Sequence, residues 1–155
     1  MKVKFEGGRE LETALKALDI STTRKRNLAA RALDRAAVPI RDEWATHVDV
    51  QSGDLKRSIK IGPRAQTKAT RKFFRGAGKD IVERYVGIDP TEGEDLEVYA
   101  YIEEFGNEGQ PANPAGRQAW EGKKMEAFNR IGTDLWDEIN KTARREAAKT
   151  ARLKK

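Results

Sequence analysis

The chain has 155 residues, of which 31 are Lys or Arg and 25 are Asp or Glu, giving a formal net charge of +6. Leu, Ile, Val and Phe make only 30 of the 155 residues, close to the limit of roughly 20% below which charged chains tend to be disordered. The length is typical of one domain, and no stretch approaches the roughly 18 apolar residues of a membrane span, so we expect synthesis in the cytoplasm and no membrane partner. The lack of Cys and the single His exclude disulfides, thiolate metal sites and His-rich metal centres. These features predict a protein that is not an enzyme and has no cofactor.

The first third of the chain predicts two helices. Residues 3–6 alternate apolar and charged side chains and predict a short strand. Leucines then recur at the spacing of one helix face and predict a helix over about residues 9–19. Ser21, Thr22 and Thr23 are N-cap candidates for a second, longer helix. Pro39 falls within that helix, where it removes a backbone hydrogen bond and clashes with the preceding turn, so we expect a kink or break near residues 36–38.

Short strands are predicted in the middle of the chain. Leu55 and its neighbours predict a short helical turn or strand that continues as a strand to Ile61. Residues 81–88 and 96–102 predict two further strands, and because a polar turn joins them, an antiparallel hairpin is the simplest pairing. The segment 62–79 carries six basic residues and no acidic residue, which predicts an exposed basic loop.

A long C-terminal helix is predicted from about residue 117 to residue 148. Its apolar stripe consists of Trp120 or Lys124, Phe128, Ile131, Leu135 and Ile139. Residues 141–155 carry a net charge of +6 and predict a basic helix end or flexible tail. The elements together predict an α+β fold, with a small antiparallel sheet packed against two or three helices and a long C-terminal helix, in a single domain over residues 1–140.

Opposite charges are segregated along the chain, which is typical of surfaces that dock on charged protein neighbours. Residues 80–104 contain nine acidic residues and one basic residue. We therefore hypothesise that an acidic and a basic surface pair between copies of the chain. The basic side consists of Lys56, Arg57, Arg64, Lys68, Arg71, Lys72 and Arg75. The acidic side consists of Asp89, Glu92, Glu94, Asp95 and Glu97.

Two alternative functions stay open on the residues alone. Phe73 and Phe74 lie within the basic loop, and cations interleaved with aromatic rings favour single-strand binding, so a basic nucleic-acid-binding module is the main alternative. Glu121 and Lys123 have the Glu-x-Lys spacing of metal-dependent nucleases, in which the Glu binds Mg²⁺ and the Lys stabilises developing charge. Because this pair opens a predicted helix instead of lying on a strand, the nuclease is the weaker alternative.

Three motifs follow one another in a recognisable order. Residues 3–18 form the first motif, a predicted strand followed by Gly-Gly and a Leu-rich helix. Residues 50–59 form the second, with the pattern apolar-x-Ser-Gly-x-Leu-basic-basic-Ser-Ile. Residues 99–106 form the third, Tyr-Ala-Tyr-Ile-Glu-Glu-Phe-Gly, which is followed by a Pro and the last helix. This order resembles the phage tail-completion or head–tail joining family, the gene-product-ten-like neck proteins of lambdoid long-tailed phages, which are related to minor tail protein Z. The residues that carry the resemblance are Ser52, Gly53, Leu55, Ser58, Tyr99, Tyr101, Glu104, Phe105, Gly106 and Pro114.

The resemblance implies a structural virion protein that works as a homo-oligomeric ring between the head connector and the tail tube. Its implied partners are further copies of itself, the connector or stopper, and the tail terminator or tail tube, with DNA in the ring lumen as a further candidate. Its implied location is the virion neck, and the host cytoplasm during assembly. We interpret the signature glycines as positions that need a positive φ, and Leu55 and Phe105 as core residues.

Overall fold

The computed structural model describes residues 7–48, 53–63 and 81–153. The strand predicted at residues 3–6 and most of the predicted basic loop lie outside these ranges. Within them the chain forms five α-helices, one short 3-10 helix and two β-strands. The predicted α+β class, with a small antiparallel sheet and a long C-terminal helix, is confirmed.

Two helices open the described part of the chain. Helix α1 spans Gly8–Ala17 and helix α2 spans Thr22–His47, which confirms both predicted helices. Ser21 is the N-cap of α2, because its side-chain oxygen accepts a hydrogen bond from the Arg24 N–H at 3.4 Å. Helix α2 continues through Pro39, so of the predicted kink or break the structure excludes the break. Pro39 is buried, and this packing stabilises the helix against the lost backbone hydrogen bond.

The two strands pair across a long stretch of chain. Helix α3 spans Asp54–Ser58 and leads directly into strand β1, Ile59–Gly62, which confirms the predicted turn and strand. Strand β2 spans Tyr85–Ile88 and pairs antiparallel with β1, so that Ile59 lies opposite Ile88. Both isoleucines are buried, and they anchor the sheet in the core.

The segment after β2 is helical. A 3-10 helix at Pro90–Glu92 precedes helix α4, Leu96–Phe105, and this corrects the strand and the hairpin that the sequence predicted here. The apolar residues of this segment fit a helical period as well as a strand period. Leu96 and Ala100, four residues apart, pack on the core, whereas Val98 is exposed.

Helix α5 spans Ala115–Leu153 and makes the largest helix contact of the described residues, with α2. The two helices are antiparallel, because Arg24 near the start of α2 pairs with Glu146 and Glu43 near its end pairs with Lys123. Small residues take many of the buried positions on these two helices, and we call the α2–α5 contact the small-residue seam. They are Ala30, Ala32 and Ala36 on α2, and Ala115, Ala119, Ala127 and Gly132 on α5.

This small-residue seam differs from the predicted apolar stripe of α5. Ile139 is buried as predicted, but Trp120 is exposed, and Phe128, Ile131 and Leu135 are only half-buried. Small side chains let two helix backbones approach closely, and four of the six buried positions of α5 are Ala or Gly.

The apolar core consists of two separate clusters. One cluster lies where the sheet meets α4 and α5, and its buried members are Val48, Ile59, Ile88, Leu96 and Ala115. The other lies where α1 meets the two long helices, and its buried members are Leu11, Leu28 and Ile139. Because the chain has few large apolar residues, its core consists of two small clusters, which the small-residue seam connects.

An ion-pair network lies beside the seam. Glu138 of α5 is buried and accepts hydrogen bonds from Arg31 and Arg35 of α2, each at 2.7 Å. Arg35 also pairs with Asp134 at 3.3 Å. Burial acts to raise the pKa of Glu138, but the hydrogen bonds from Arg35 and Arg31 and their charges outweigh it and hold the pKa below its ordinary value. The network ties the middle of α2 to α5.

Candidate protein-interaction surface

Helix α4 is bounded by two residues with positive φ. Asp95 precedes it with φ 56°, in the left-handed region that Asp tolerates better than most residues. Gly106 follows it with φ 76°, and its N–H donates to the Ile102 carbonyl at 2.7 Å. A Cβ at Gly106 would lie 2.9 Å from the Gln110 oxygen and from the Ala112 nitrogen. The prediction that the signature glycines need a positive φ is confirmed at Gly106 and at Gly53, where φ is 77°.

Glu103 fixes α4 to the loop that follows it. Its side chain is buried and accepts a hydrogen bond from Asn113 Nδ2 at 2.7 Å, and its carbonyl accepts one from the Asn113 N–H at 2.7 Å. Asn113 Nδ2 also lies 3.0 Å from the His47 carbonyl at the end of α2. One Asn side chain therefore joins α4, the loop and α2.

Glu104 fixes α4 to α5. Its carboxylate accepts hydrogen bonds from the Gly116 N–H at 3.0 Å and the Arg117 N–H at 3.2 Å, and it pairs with the Arg117 guanidinium at 3.7 Å. The first N–H groups of a helix have no partner within the helix, and its N-terminus favours negative charge. Glu104 is thus an N-terminal cap supplied by another helix, and Pro114 of the signature directly precedes this helix start.

The face of α4 that points away from the core is aromatic and exposed. Val98, Tyr101 and Phe105 follow one another at helical spacing and are 54%, 63% and 57% exposed. The rings of Tyr101 and Phe105 lie 4.9 Å apart, and the Arg117 guanidinium lies 5.7 Å from the Phe105 centroid. The prediction that Phe105 belongs to the core is therefore wrong, whereas Leu55 packs against the core as predicted.

Acidic side chains border this aromatic face. Glu97 lies one helical turn before Tyr101. Glu94 lies in the turn that precedes α4, at the edge of this face, where it also lines a groove with Leu55 and Tyr99. Both carboxylates are exposed and form no ion pair among the described residues. We call the set Glu94, Glu97, Val98, Tyr101 and Phe105 the α4 outer face. The side chains of Glu103 and Glu104 fix the helix while its outer side chains stay exposed, so this face is a candidate protein-docking surface.

The remaining residues of the predicted acidic side serve the chain itself. The Asp89 carboxylate accepts hydrogen bonds from the Thr91 N–H and hydroxyl, which hold its pKa below its ordinary value. Glu92 pairs with Lys60 at 3.3 Å, and Asp95 occupies the turn before α4. Lys60 was not among the predicted basic partners.

The predicted basic side is only partly described. Lys56 and Arg57 are exposed on α3, and Arg57 pairs with Asp54. The other five predicted basic residues, Arg64, Lys68, Arg71, Lys72 and Arg75, lie outside the described residues. Helix α3 lies beside the 3-10 helix, so its basic residues and the acidic run sit on the same side of the molecule.

Two of the signature motifs meet in one groove. Gly53 and Leu55 line one side, and Tyr99, Ile102 and Glu103 line the other. Ser58 of the same motif is fully buried; its hydroxyl donates to the Leu55 carbonyl and its own carbonyl accepts from the Asp89 N–H, each at 2.7 Å. Ser52 lies outside the described residues. The signature residues therefore mostly position α4 between α3 and α5.

The Glu-x-Lys pair of the nuclease alternative lies on the exposed first turns of α5. Glu121 pairs with Lys124, and Lys123 pairs with Glu126 at 3.2 Å and with Glu43 at 3.9 Å. The described residues contain no group of three or more His, Asp or Glu placed to hold a metal ion. None of the described helices combines the length and the low polarity that crossing a bilayer requires.

Sequence reasoning missed the α4 outer face because the segment was interpreted as a strand. A signal was present: Val98, Tyr101 and Phe105 are spaced as one helix face, and Gly106 follows as a C-terminal stop.

No protein-family model, curated protein or solved structure matches this chain.

Proposed function

We propose that this chain is a structural protein of the phage neck, which completes the tail or joins it to the head as a homo-oligomeric ring between the head connector and the tail tube. The motif order described above supports the family. The α4 outer face is the observation that carries the proposal, because it offers exposed aromatic side chains on a fixed helix.

The energetics of the fold favour assembly. The two core clusters contain few large side chains, while Tyr101, Phe105 and Trp120 stay more than half exposed. Burying such side chains between subunits contributes about 25 cal/mol per Å² of apolar surface removed from water. The chain would therefore be more stable within an assembly than alone.

Electron microscopy of the purified protein tests this proposal. Ring particles of uniform symmetry are expected, together with binding to connector or tail-tube proteins in sedimentation assays. Particles that stay monomeric at every concentration and bind neither kind of partner would contradict it.

The exposed basic end of α5 favours a nucleic-acid-binding module as the second candidate. Five basic residues of this segment are exposed, and they are Lys141, Arg144, Arg145, Lys149 and Arg152. A protein whose main activity is to bind DNA would bind as a small species, with an affinity that falls steeply with salt concentration. A neck ring would bind DNA weakly and without sequence preference.

A further inference from the structure

The last residues of α5 extend past the start of α2, the helix against which α5 packs. Arg24 in the first turn of α2 pairs with Glu146, and because the helices are antiparallel, α5 passes the start of α2 soon after that pair. Every residue from 147 to 153 is exposed. This overhang is helical to Leu153, which is 79% exposed.

The end of α5 carries a stripe of one charge that begins beside α2 and continues into the overhang. Lys141, Arg145, Lys149 and Arg152 recur at i, i+4, i+8 and i+11, which places them along one helix face. All four are exposed, and none forms an ion pair or hydrogen bond with another described residue. We call these four residues the α5 basic stripe.

The α5 basic stripe complements the α4 outer face in charge and in length. The outer face presents the Glu97 carboxylate one helical turn from Tyr101, and the Glu94 carboxylate in the turn before the helix; neither forms an ion pair among the described residues. Lys or Arg side chains can pair with these carboxylates and pack over the Tyr101 ring. Helix α4 has 10 residues, about 15 Å at 1.5 Å per residue, and the stripe spans about 17 Å. An acidic face repels nucleic acid, so a cationic protein segment is the partner that it fits.

The two surfaces cannot meet within one chain. Glu104 of α4 caps the first turn of α5, whereas the centre of the stripe lies about 30 residues further along the same helix, roughly 45 Å away. Complementary surfaces at opposite ends of a rigid helix can pair only between molecules. Such a contact is heterologous, since it joins different patches of two copies, and it generates rings or filaments.

We propose that the α5 basic stripe of one copy docks on the α4 outer face of the next copy, so that copies of this chain associate head to tail. The inference rests on the proposed function in one respect, namely that copies of the chain assemble. It adds the two surfaces that form the contact.

Charge exchange between the surfaces tests the contact. One variant carries Glu94→Lys with Glu97→Lys, a second carries Lys149→Glu with Arg152→Glu, and a third carries all four changes. Each two-site variant is expected to need at least about tenfold more protein for half-maximal assembly, because like charges then face each other. The four-site variant, and an equimolar mixture of the two-site variants, are expected to assemble to within about threefold of wild type, since opposite charges meet again.

Sedimentation velocity of the full chain over a concentration series is the measurement, at physiological salt. Circular dichroism checks that the exposed substitutions leave the fold intact. Arg9→Glu with Arg26→Glu is the matched control: both residues are exposed, the net charge changes as in the second variant, and assembly should be unchanged.

Three outcomes would overturn the contact. If wild type assembles and both two-site variants assemble equally well, the contact is wrong while the ring proposal stands. If, in that case, the second variant loses DNA binding, the α5 basic stripe is assigned to nucleic acid. If both variants lose assembly but neither the mixture nor the four-site variant recovers it, the two surfaces do not face each other. If wild type is monomeric throughout, both the contact and the ring are wrong.

Discussion

The α2–α5 seam and the α4 outer face differ in which of their side chains are buried and in how their charges are paired. Along the α2–α5 seam, small residues are buried and the charges of Glu138, Arg31 and Arg35 meet within the chain. On the α4 outer face, aromatic rings are exposed and the Glu97 carboxylate has no ion pair among the described residues. The contacts of the seam are complete within one molecule, whereas the proposed complement of the outer face lies on another copy.

This contrast separates stability from assembly. Substitutions in the seam should change the free energy of unfolding, because they disturb packing that is complete in the monomer. Substitutions on the outer face should change association and leave the monomer almost as stable as before. The predictions below use this separation and run from the largest expected effect on stability to the smallest.

Ala119→Leu should destabilise the monomer most. Ala119 on α5 is fully buried, and three added carbons have no space without displacing the groups packed around it. We expect the free energy of unfolding to fall by about 3 kcal/mol in urea denaturation. Ala143→Leu on the exposed face of the same helix is the control and should change it by less than about 0.5 kcal/mol. Equal effects at both positions would mean that α5 does not pack through its small residues.

Glu138→Gln should cost about 2 kcal/mol at pH 7, because it removes the charge that accepts hydrogen bonds from two arginines. The control is Asp137→Asn, at an exposed neighbour with no ion pair among the described residues. It should leave the unfolding midpoint nearly unchanged. If Asp137→Asn lowers the stability as much as Glu138→Gln does, the loss is caused by the change in net charge and not by the ion-pair network.

The same network predicts a pH dependence. The pKa of Glu138 lies below its ordinary value of 4.5 in the folded chain, so the folded state favours the carboxylate. Its contribution is fully present above pH 4.5 and is lost as the pH falls through the lower, folded pKa. The stability difference between wild type and Glu138→Gln should therefore shrink in acid. A difference that stays constant down to pH 2 would contradict the assigned protonation.

Glu104→Gln should have a smaller effect, about 1 kcal/mol. The amide oxygen can still accept from the Gly116 or Arg117 N–H, but the favourable interaction of a full charge with the helix N-terminus is lost. Thermal unfolding should show a midpoint lower by a few degrees. Glu108→Gln, at an exposed carboxylate after α4, is the control and should leave the midpoint unchanged.

The sequence predicted the fold better than the surface, and the reasons are physical. Leu11, Leu15 and Leu18 have one dominant period, and Ser21 marks a helix start, so α1 and α2 could be predicted. The apolar residues from Leu96 to Ile102 fit both the period of a strand and the period of a helix, and it is the packing of this segment on the sheet that selects the helix. Local pattern alone could not distinguish them.

The sequence analysis identified the acidic residues of the candidate surface but not its exposed aromatic helix face. Glu94 and Glu97 belong to the predicted acidic side and are exposed, but the aromatic residues near them form one face only because α4 is helical. Phe105 was interpreted as core because large aromatic residues are usually buried. The partners of Glu104 are fixed by tertiary structure that connects α4 to α5, which no local signal encodes.

Tyr101→Ser should have the smallest effect on stability and a clear effect on assembly. Tyr101 is 63% exposed and touches Phe105 at the edge of the monomer, so its loss should change the free energy of unfolding by less than about 0.5 kcal/mol. If the α4 outer face is buried between copies, the same substitution removes an aromatic anchor from the contact, where such residues commonly contribute 2 kcal/mol or more, about thirtyfold in affinity. Sedimentation at matched concentrations measures the second effect and denaturation the first. Trp136→Ser, at a partly exposed aromatic residue elsewhere on α5, is the control for a general loss of surface apolarity. A variant that is unchanged in both measurements would show that the exposed rings are an ordinary surface feature.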